Sequence, residues 1–357
     1  MQHSYSEDSL VEQPAIELFK ELGWEAANCY HETFGTKGLL GRETAAEVVL
    51  TSRLRPALVK LNPDLPLEAI ESAIEQLTRD RSAMSAVQAN RDIYRLVKNG
   101  ARVDLSGSQV SYAPSPQPSP RGRGSKEESV ARVRVIDWDN PANNDFFLAS
   151  QFWITGEMYR RRADLIGFVN GLPLVFIELK KLRLEDAFDN NLRDYKNTIP
   201  KLFWYNSFII LSNGSKARIG SVTGEWDHFA EWKKINDEGE EGIVSLDTMI
   251  RGTCEPAKLL DLVENFSLFS ESNQGLIKLI AKNHQYLGVG SALKAVHRIR
   301  DNRGKLGVFW HTQGSGKSYS MVFFSQKILR KVGVTGRLSS SPTAKTSTTR
   351  FTKTLRA

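Results

Sequence analysis

Cysteine is scarce in this chain of 357 residues: Cys29 and Cys254 lie far apart and form no Cys-x-x-Cys pair. That excludes a disulfide framework and a zinc-thiolate site, and it fits a reducing compartment. No apolar run approaches the roughly 18 residues that a membrane-spanning helix requires; the longest are short stretches such as Leu172 to Ile177 and Phe208 to Leu211. The opening residues, MQHSYSEDSLVEQ, have neither the basic start nor the apolar centre of a secretory leader. The expectation is a soluble, cytoplasmic protein with no membrane role. With 40% hydrophobic and 25% charged residues the composition is ordinary for a globular protein, and the length suffices for two domains.

The formal charge of +7 suggests nucleic acid until its position is considered. Residues 327–357 hold eight Lys or Arg and no acidic residue, leaving 40 basic against 41 acidic residues in the remainder. The body is therefore neutral, and bulk charge gives no evidence for DNA binding. A local basic groove stays open.

Up to about residue 100 the apolar spacing is helical, over Leu10 to Leu22, Glu43 to Leu61, Leu67 to Leu77 and Met84 to Lys98, with Pro63 and Pro66 as stops. A Pro-, Ser- and Gly-rich run at about 113–128 reads as an exposed insertion. From Ala131 the period becomes two. Val133, Val135, Phe146 to Trp153, Ala163 to Val169, Leu174 to Lys180 and Ser207 to Leu211 read as strands, with Asn170-Gly171 as a turn and Glu185 to Lys196 as a helix. The spacing thus predicts an α/β protein with a mixed sheet behind an N-terminal helical section. Beyond residue 275, a helix over Ser291 to Arg300, a strand over Leu306 to Trp310 and a helix over Tyr319 to Lys331 are expected.

Asp164, Glu178 and Lys180 carry the candidate chemistry of the middle section. Residues two apart on a strand face one side, so Glu178 and Lys180 project together. Carboxylates are hard ligands for Mg²⁺, and a neighbouring lysine can stabilise charge growing on a phosphate. Glu-x-Lys alone is weak, since both residues are common at exposed strand ends. Asp164 can share an ion with Glu178 only if both leave one face of the hairpin. A two-residue loop pairs 169 with 172 and puts Asp164 on the wrong face; a three-residue loop over 170–172 sets it opposite Glu178. The odd loop, or an equivalent bulge, is expected. Further on, Gly314-Ser315-Gly316-Lys317-Ser318 lies between a strand and a helix, where backbone amides, the lysine and the serine can cradle phosphates and Mg²⁺.

Asp164, Glu178 and Lys180, with Asn191 and Tyr195 on the next helix, resemble the PD-(D/E)xK nuclease core of the RecB-like branch, where a Gln-x-x-x-Tyr motif follows the active-site strands. Asn191 replaces that Gln. The resemblance makes Glu12 a further metal ligand, although Ser9-Leu-Val-Glu12 equally fits a helix capping box. Gly314 to Ser318 resembles motif I of superfamily 2 helicases, and Gln285 resembles their adenine-reading glutamine. A nuclease core followed directly by helicase motif I resembles the R subunit of type I restriction enzymes, over about residues 8–332.

That resemblance implies a DNA-cleaving and ATP-binding subunit with Mg²⁺ and ATP as cofactors, and duplex DNA and the modification and specificity subunits as partners. It implies a nuclease domain over 1–270 and the incomplete start of a RecA-like P-loop domain over 271–332. Residues 333–357, which lose all apolar period, read as a disordered, aberrant tail of a truncated product. A nucleotide- or DNA-binding remnant without turnover, and a nuclease of another defence system, stay open as alternatives. No Walker B Asp-Glu follows Lys317 in these 357 residues, so no DNA-stimulated ATP hydrolysis is expected. Steady-state turnover with duplex DNA checks this; activity abolished by Lys317→Ala would overturn it.

Overall fold

The computed structural model describes residues 11–105, 130–181, 183–272 and 275–332. The Pro-rich run, Ser9 and the 333–357 tail lie outside them. In chain order the elements are α1 (Gln13–Glu21), β1 (Glu25–Asn28), α2 (Thr51–Leu61), α3 (Leu67–Thr78), α4 (Ala86–Asn99), β2 (Ala101–Asp104), β3 (Val130–Val133), β4 (Phe146–Thr155), β5 (Arg160–Val169) and β6 (Leu172–Leu179). There follow α5 (Leu184–Asp186), a π-helical turn (Ala187–Leu192), α6 (Arg193–Thr198), α7 (Pro200–Phe203), β7 (Phe208–Ser212), β8 (Ala217–Gly220) and β9 (Ala230–Glu231). The last described elements are α8 (Leu246–Thr253), α9 (Pro256–Asn265), β10 (Ser267–Ser272), β11 (Gly275–Ile280), α10 (Asn283–His297) and α11 (Lys317–Lys331).

The result is a mixed α/β protein. A seven-stranded sheet has the order β1-β4-β5-β6-β7-β8-β9, and β2–β3 and β10–β11 form small two-stranded sheets. β1 runs parallel to β4, whereas β4–β5, β5–β6, β7–β8 and β8–β9 are antiparallel. The chain divides into two compact units, one of Phe19–Ile177 and Asn191–Asn206, the other of Met1–Leu18, Glu178–Asn190 and Ser207–Ala357.

In the first unit rings pack on both sides of β4 and β5: Trp24 packs on Phe19 and Phe146, and Phe168 on Phe147 and Phe152. The helix expected over Glu43 to Leu61 begins only at Thr51. The backbone before it bonds elsewhere. Ala45 O accepts from Thr155 N at 2.9 Å, Glu47 O from the buried Arg42 guanidinium at 2.7 Å, and Leu50 N donates to Gly171 O at 2.9 Å. A carbonyl spent on the sheet cannot close a helical turn, so tertiary bonding overrides the local period. α4 starts as its sequence asks, with a capping box between Ser85 and Gln88. Its buried Asn90 donates to the carbonyls of Phe203, Trp204 and Asn206, tying the α7 end to the helical section.

In the second unit α11 packs through Phe323 on Phe266, whose ring also meets Tyr286 of α10. Ion pairs Lys327–Asp261 and Lys331–Glu264 bind α11 to α9. The strand expected over Leu306 to Trp310 is absent, and Val308 and Trp310 are exposed. An apolar run becomes a central strand only with neighbours to pair, and no described strand pairs with it. Helix α10 begins eight residues before the expected Ser291. The expected helix over Glu185 to Lys196 is broken by the π-helical turn.

The β5–β6 turn fixes the hairpin of the first unit. Asn170 and Gly171 have φ of 49° and 77°, the pair of positive values that a two-residue type I′ turn demands. A Cβ on Gly171 would lie 2.3 Å from Leu50 O and 2.8 Å from Leu54 N. Gly171→Ala is expected to destabilise the protein by about 2 kcal/mol or more, from left-handed strain and the backbone collision together. Urea unfolding checks this; an unchanged midpoint would refute it.

Candidate active site and nucleotide loop

The β5–β6 register decides where Asp164 stands. Next to the two-residue turn, Val169 pairs with Leu172 and Phe168 with Pro173; beyond a shift between Gly167 and Phe168, Gly167 pairs with Val175, Ile166 with Phe176 and Leu165 with Ile177. Leu174 is the extra residue, a bulge beside Pro173, which has no amide to give the ladder. The three-residue loop is therefore not formed, and the bulge performs the same change of register. The register runs as far as Leu165 and Ile177, the sequence neighbours of Asp164 and Glu178.

Glu178 is 1% exposed. Lys180 follows the end of β6, its amide donating to Ser212 O at 2.9 Å and its Nζ lying 3.6 Å from Glu178 Oε1. The lysine head stays partly in solvent, so the pair joins a buried carboxylate to an accessible charge. Phe176, two residues before Glu178 and on its face of the strand, packs edge-on against Tyr195 at 5.8 Å. The Tyr195 hydroxyl donates to the carbonyl of Arg162 at 2.9 Å, and Arg161 forms an ion pair with Asp194. α6 is thus anchored to β5 just before Asp164. Asn191 sits in the π-helical turn, a local widening often found at functional sites.

Glu12 is buried and precedes α1, and its neighbour Val11 stands beside Gly214 after β7. Among the described residues, no group of three or more His, Cys, Asp or Glu side chains is placed to hold a metal ion.

In the loop before α11, Gly314 and Gly316 both have φ of 82°, and Gly316 is the N-cap of the 15-residue helix. A Cβ on Gly316 would meet Gln285 Nε2 at 2.6 Å. Gln285 Nε2 donates to Gly316 O at 3.1 Å, while its Oε1 accepts from Lys282 N at 2.9 Å. His284 Nε2 meets Ser315 O at 3.0 Å, and burial holds its pKa below the usual histidine value. Lys317 Nζ donates to His311 O at 2.8 Å, closing the loop on its own carbonyls. The residues that sequence reasoning joined, Gln285 with Gly314 to Ser318, do meet, through backbone carbonyls of the loop.

Several features had no signal in the sequence. Gln151 on β4 has φ of 54° and stands opposite Asp164, between the pairs Ser150–Leu165 and Phe152–Ala163. Arg160 and Arg162 lie over aromatic rings. Both features depend on the β4–β5 pairing.

The model of the family described as type I restriction enzyme R protein N terminus matches residues 4–112 and 120–228, and that of the SWI2/SNF2 ATPase matches residues 284–337. The chain is 33% identical over 332 residues to the type I restriction enzyme HindI endonuclease subunit of Haemophilus influenzae, covering 89% of this chain and 30% of that protein. It is 25% identical over 358 residues to a Methanocaldococcus jannaschii protein provisionally named type I restriction enzyme MjaIXP endonuclease subunit, covering 91% and 32%. The chain therefore spans about a third of the length of these relatives.

Tyr195→Phe keeps the ring against Phe176 but leaves the Arg162 carbonyl without its hydroxyl donor. The expected cost is about 1 kcal/mol of stability, read as a lower denaturant midpoint. No change would mean that water replaces the hydroxyl without loss.

Proposed function

The chain belongs to the family of type I restriction enzyme R protein N termini, and from that membership we propose that it supplies Mg²⁺-dependent hydrolysis of duplex DNA within a type I restriction complex. The observation that supports the reading is the Leu174 bulge, which sets Leu165 opposite Ile177 and so gives positions 164 and 178 the matching strand parity that a shared metal would need. In this reading residues 1–270 form the PD-(D/E)xK nuclease part and 271–332 begin a RecA-like motor part. The modification and specificity subunits are its partners, in the cytoplasm, and another subunit reads the recognition sequence.

Asp164 and Glu178 would offer Mg²⁺ hard oxygen donors, and the buried Glu178 would be shielded from solvent competition. Mg²⁺, when bound, polarises a phosphoryl oxygen and lowers the pKa of water. Lys180 places an ammonium beside Glu178, where it offsets negative charge growing on the phosphate. Tyr195 positions β5 through the Arg162 carbonyl. Asn191 stands where the family pattern has a longer amide. In this reading the buried Glu12 is a further carboxylate ligand for the metal.

The second part of the reading is nucleotide binding. The amides of Gly314, Ser315 and Gly316 at the start of α11 would cradle ATP phosphates, Lys317 would leave the His311 carbonyl for the β/γ charge, and Ser318 would reach Mg²⁺. Gln285 would read adenine. Its bond to Gly316 O supports a link between that residue and the loop.

Cleavage of duplex DNA in the presence of the partner subunits tests the nuclease reading. Asp164→Ala, Glu178→Ala and Lys180→Ala are each expected to lower Mg²⁺-dependent cutting by about 100-fold or more, with folding retained. Unchanged cutting in all three would move the active site elsewhere.

A further inference from the structure

Just ahead of Ala163-Asp164 on β5, the chain carries three consecutive arginines, 160–162, on a body that is otherwise neutral. Arg161 is spent on an ion pair with Asp194. Arg160 and Arg162 alternate with it and so share the strand parity of Asp164. Both carry their charge on aromatic rings: the Arg160 guanidinium lies 4.4 Å from the Trp153 ring centre, and Arg162 lies 4.9 Å from Tyr30 and 5.4 Å from Trp153. Trp153 is directly opposite Arg162 in the ladder, and its indole N–H donates to Tyr30 O at 3.1 Å, so the platform is itself braced. Tyr30 is 47% exposed, and Arg160 is exposed at the open end of the hairpin.

A guanidinium held over an indole or phenol ring loses rotational freedom while its N–H donors stay available to an acceptor. The guanidinium fork matches the two oxygens of a phosphodiester, and the residual charge favours a polyanion. We propose that Arg160 and Arg162, held on Trp153 and Tyr30, form a phosphate-binding subsite that grips the backbone of duplex DNA next to the strand position cut at Asp164. The assignment of that neighbouring position rests on the nuclease reading; the binding of DNA phosphates does not. The platform explains how a protein without bulk positive charge can hold DNA: two fixed forks replace a diffuse basic field. Arg161 also lies over a ring, 5.0 Å from the centre of Tyr159, and what sets it apart from its neighbours is its ion pair with Asp194.

The test is fluorescence anisotropy of the full chain with a labelled duplex, in EDTA, over a salt series. Arg160→Gln and Arg162→Gln are each expected to weaken binding roughly tenfold, the loss of one charge-assisted hydrogen bond, and to lower the slope of log K against log salt by about one. The double Arg→Lys variant should keep the slope but bind more weakly, because lysine retains charge without the planar fork. Arg300→Gln, at an exposed position of the other unit, should change neither quantity. Thermal unfolding of each variant checks the fold. Wild-type failure to bind, or a double Arg→Gln variant that binds with unchanged affinity and slope, would overturn the subsite; full binding by the double Lys variant would overturn the role of the stacked fork. If Asp164→Ala leaves cutting unchanged while the double Gln variant loses binding, the nuclease assignment fails and the subsite stands. If cutting depends on Asp164 and the double variant binds as the wild type does, the subsite alone fails.

Discussion

The register of the β5–β6 hairpin is the constraint on which the candidate nuclease site depends. The side-chain period of a strand is two, so a single residue of slip carries Asp164 to the far face. Two opposed features set the outcome: a tight Asn170-Gly171 turn that gives the wrong parity, and one extra residue at Leu174 that restores the right one. The turn is pinned from outside. Asn170 is fully buried, accepts from Asp145 N at 2.7 Å and donates to Val135 O and Asn144 Oδ1.

The same logic recurs wherever irregular backbone meets the first unit's sheet. Arg42 is 1% exposed, pairs with Glu32, donates to the carbonyls of Glu47 and Trp153, and lies 4.0 Å from the ring centre of Phe152. A buried charge is tolerated only when paired and fully hydrogen-bonded, and here its donors organise a loop that cannot be helical. In the other unit, His284 and Gln285 do comparable work on the loop before α11 by holding its carbonyls. Polar side chains thus fix the loops, and apolar rings fix the layers between them.

Much of this was legible residue by residue. The Leu67 and Met84 helices, the strands from Phe146 to Leu179, the Asn-Gly turn and the Gly-Ser-Gly-Lys-Ser loop all follow from local period and turn chemistry. The failures share a cause. Glu43 to Leu50 had helical spacing but gave its carbonyls to the sheet, and Leu306 to Trp310 had strand composition but no strand to pair with. The β10–β11 hairpin and helices α8 and α9 escaped notice, although the Ser245 cap before α8 and Glu255-Pro256 at the start of α9 are local helix-start signals.

By itself the sequence determined the chemistry on offer: two carboxylates and a lysine at strand ends, a glycine-rich loop before a helix, and the resemblance that the family match bears out. Those are properties of residue type and short spacing. Only the tertiary structure decided which of them meet. The bulge at Leu174, the left-handed Gln151 opposite Asp164, the stacking of Arg160 and Arg162 on Trp153 and Tyr30, and the hold of Gln285 on Gly316 all join residues distant in sequence or fix strand parity. No local period encodes such contacts, because each is settled by which backbone groups find partners when the sheet closes.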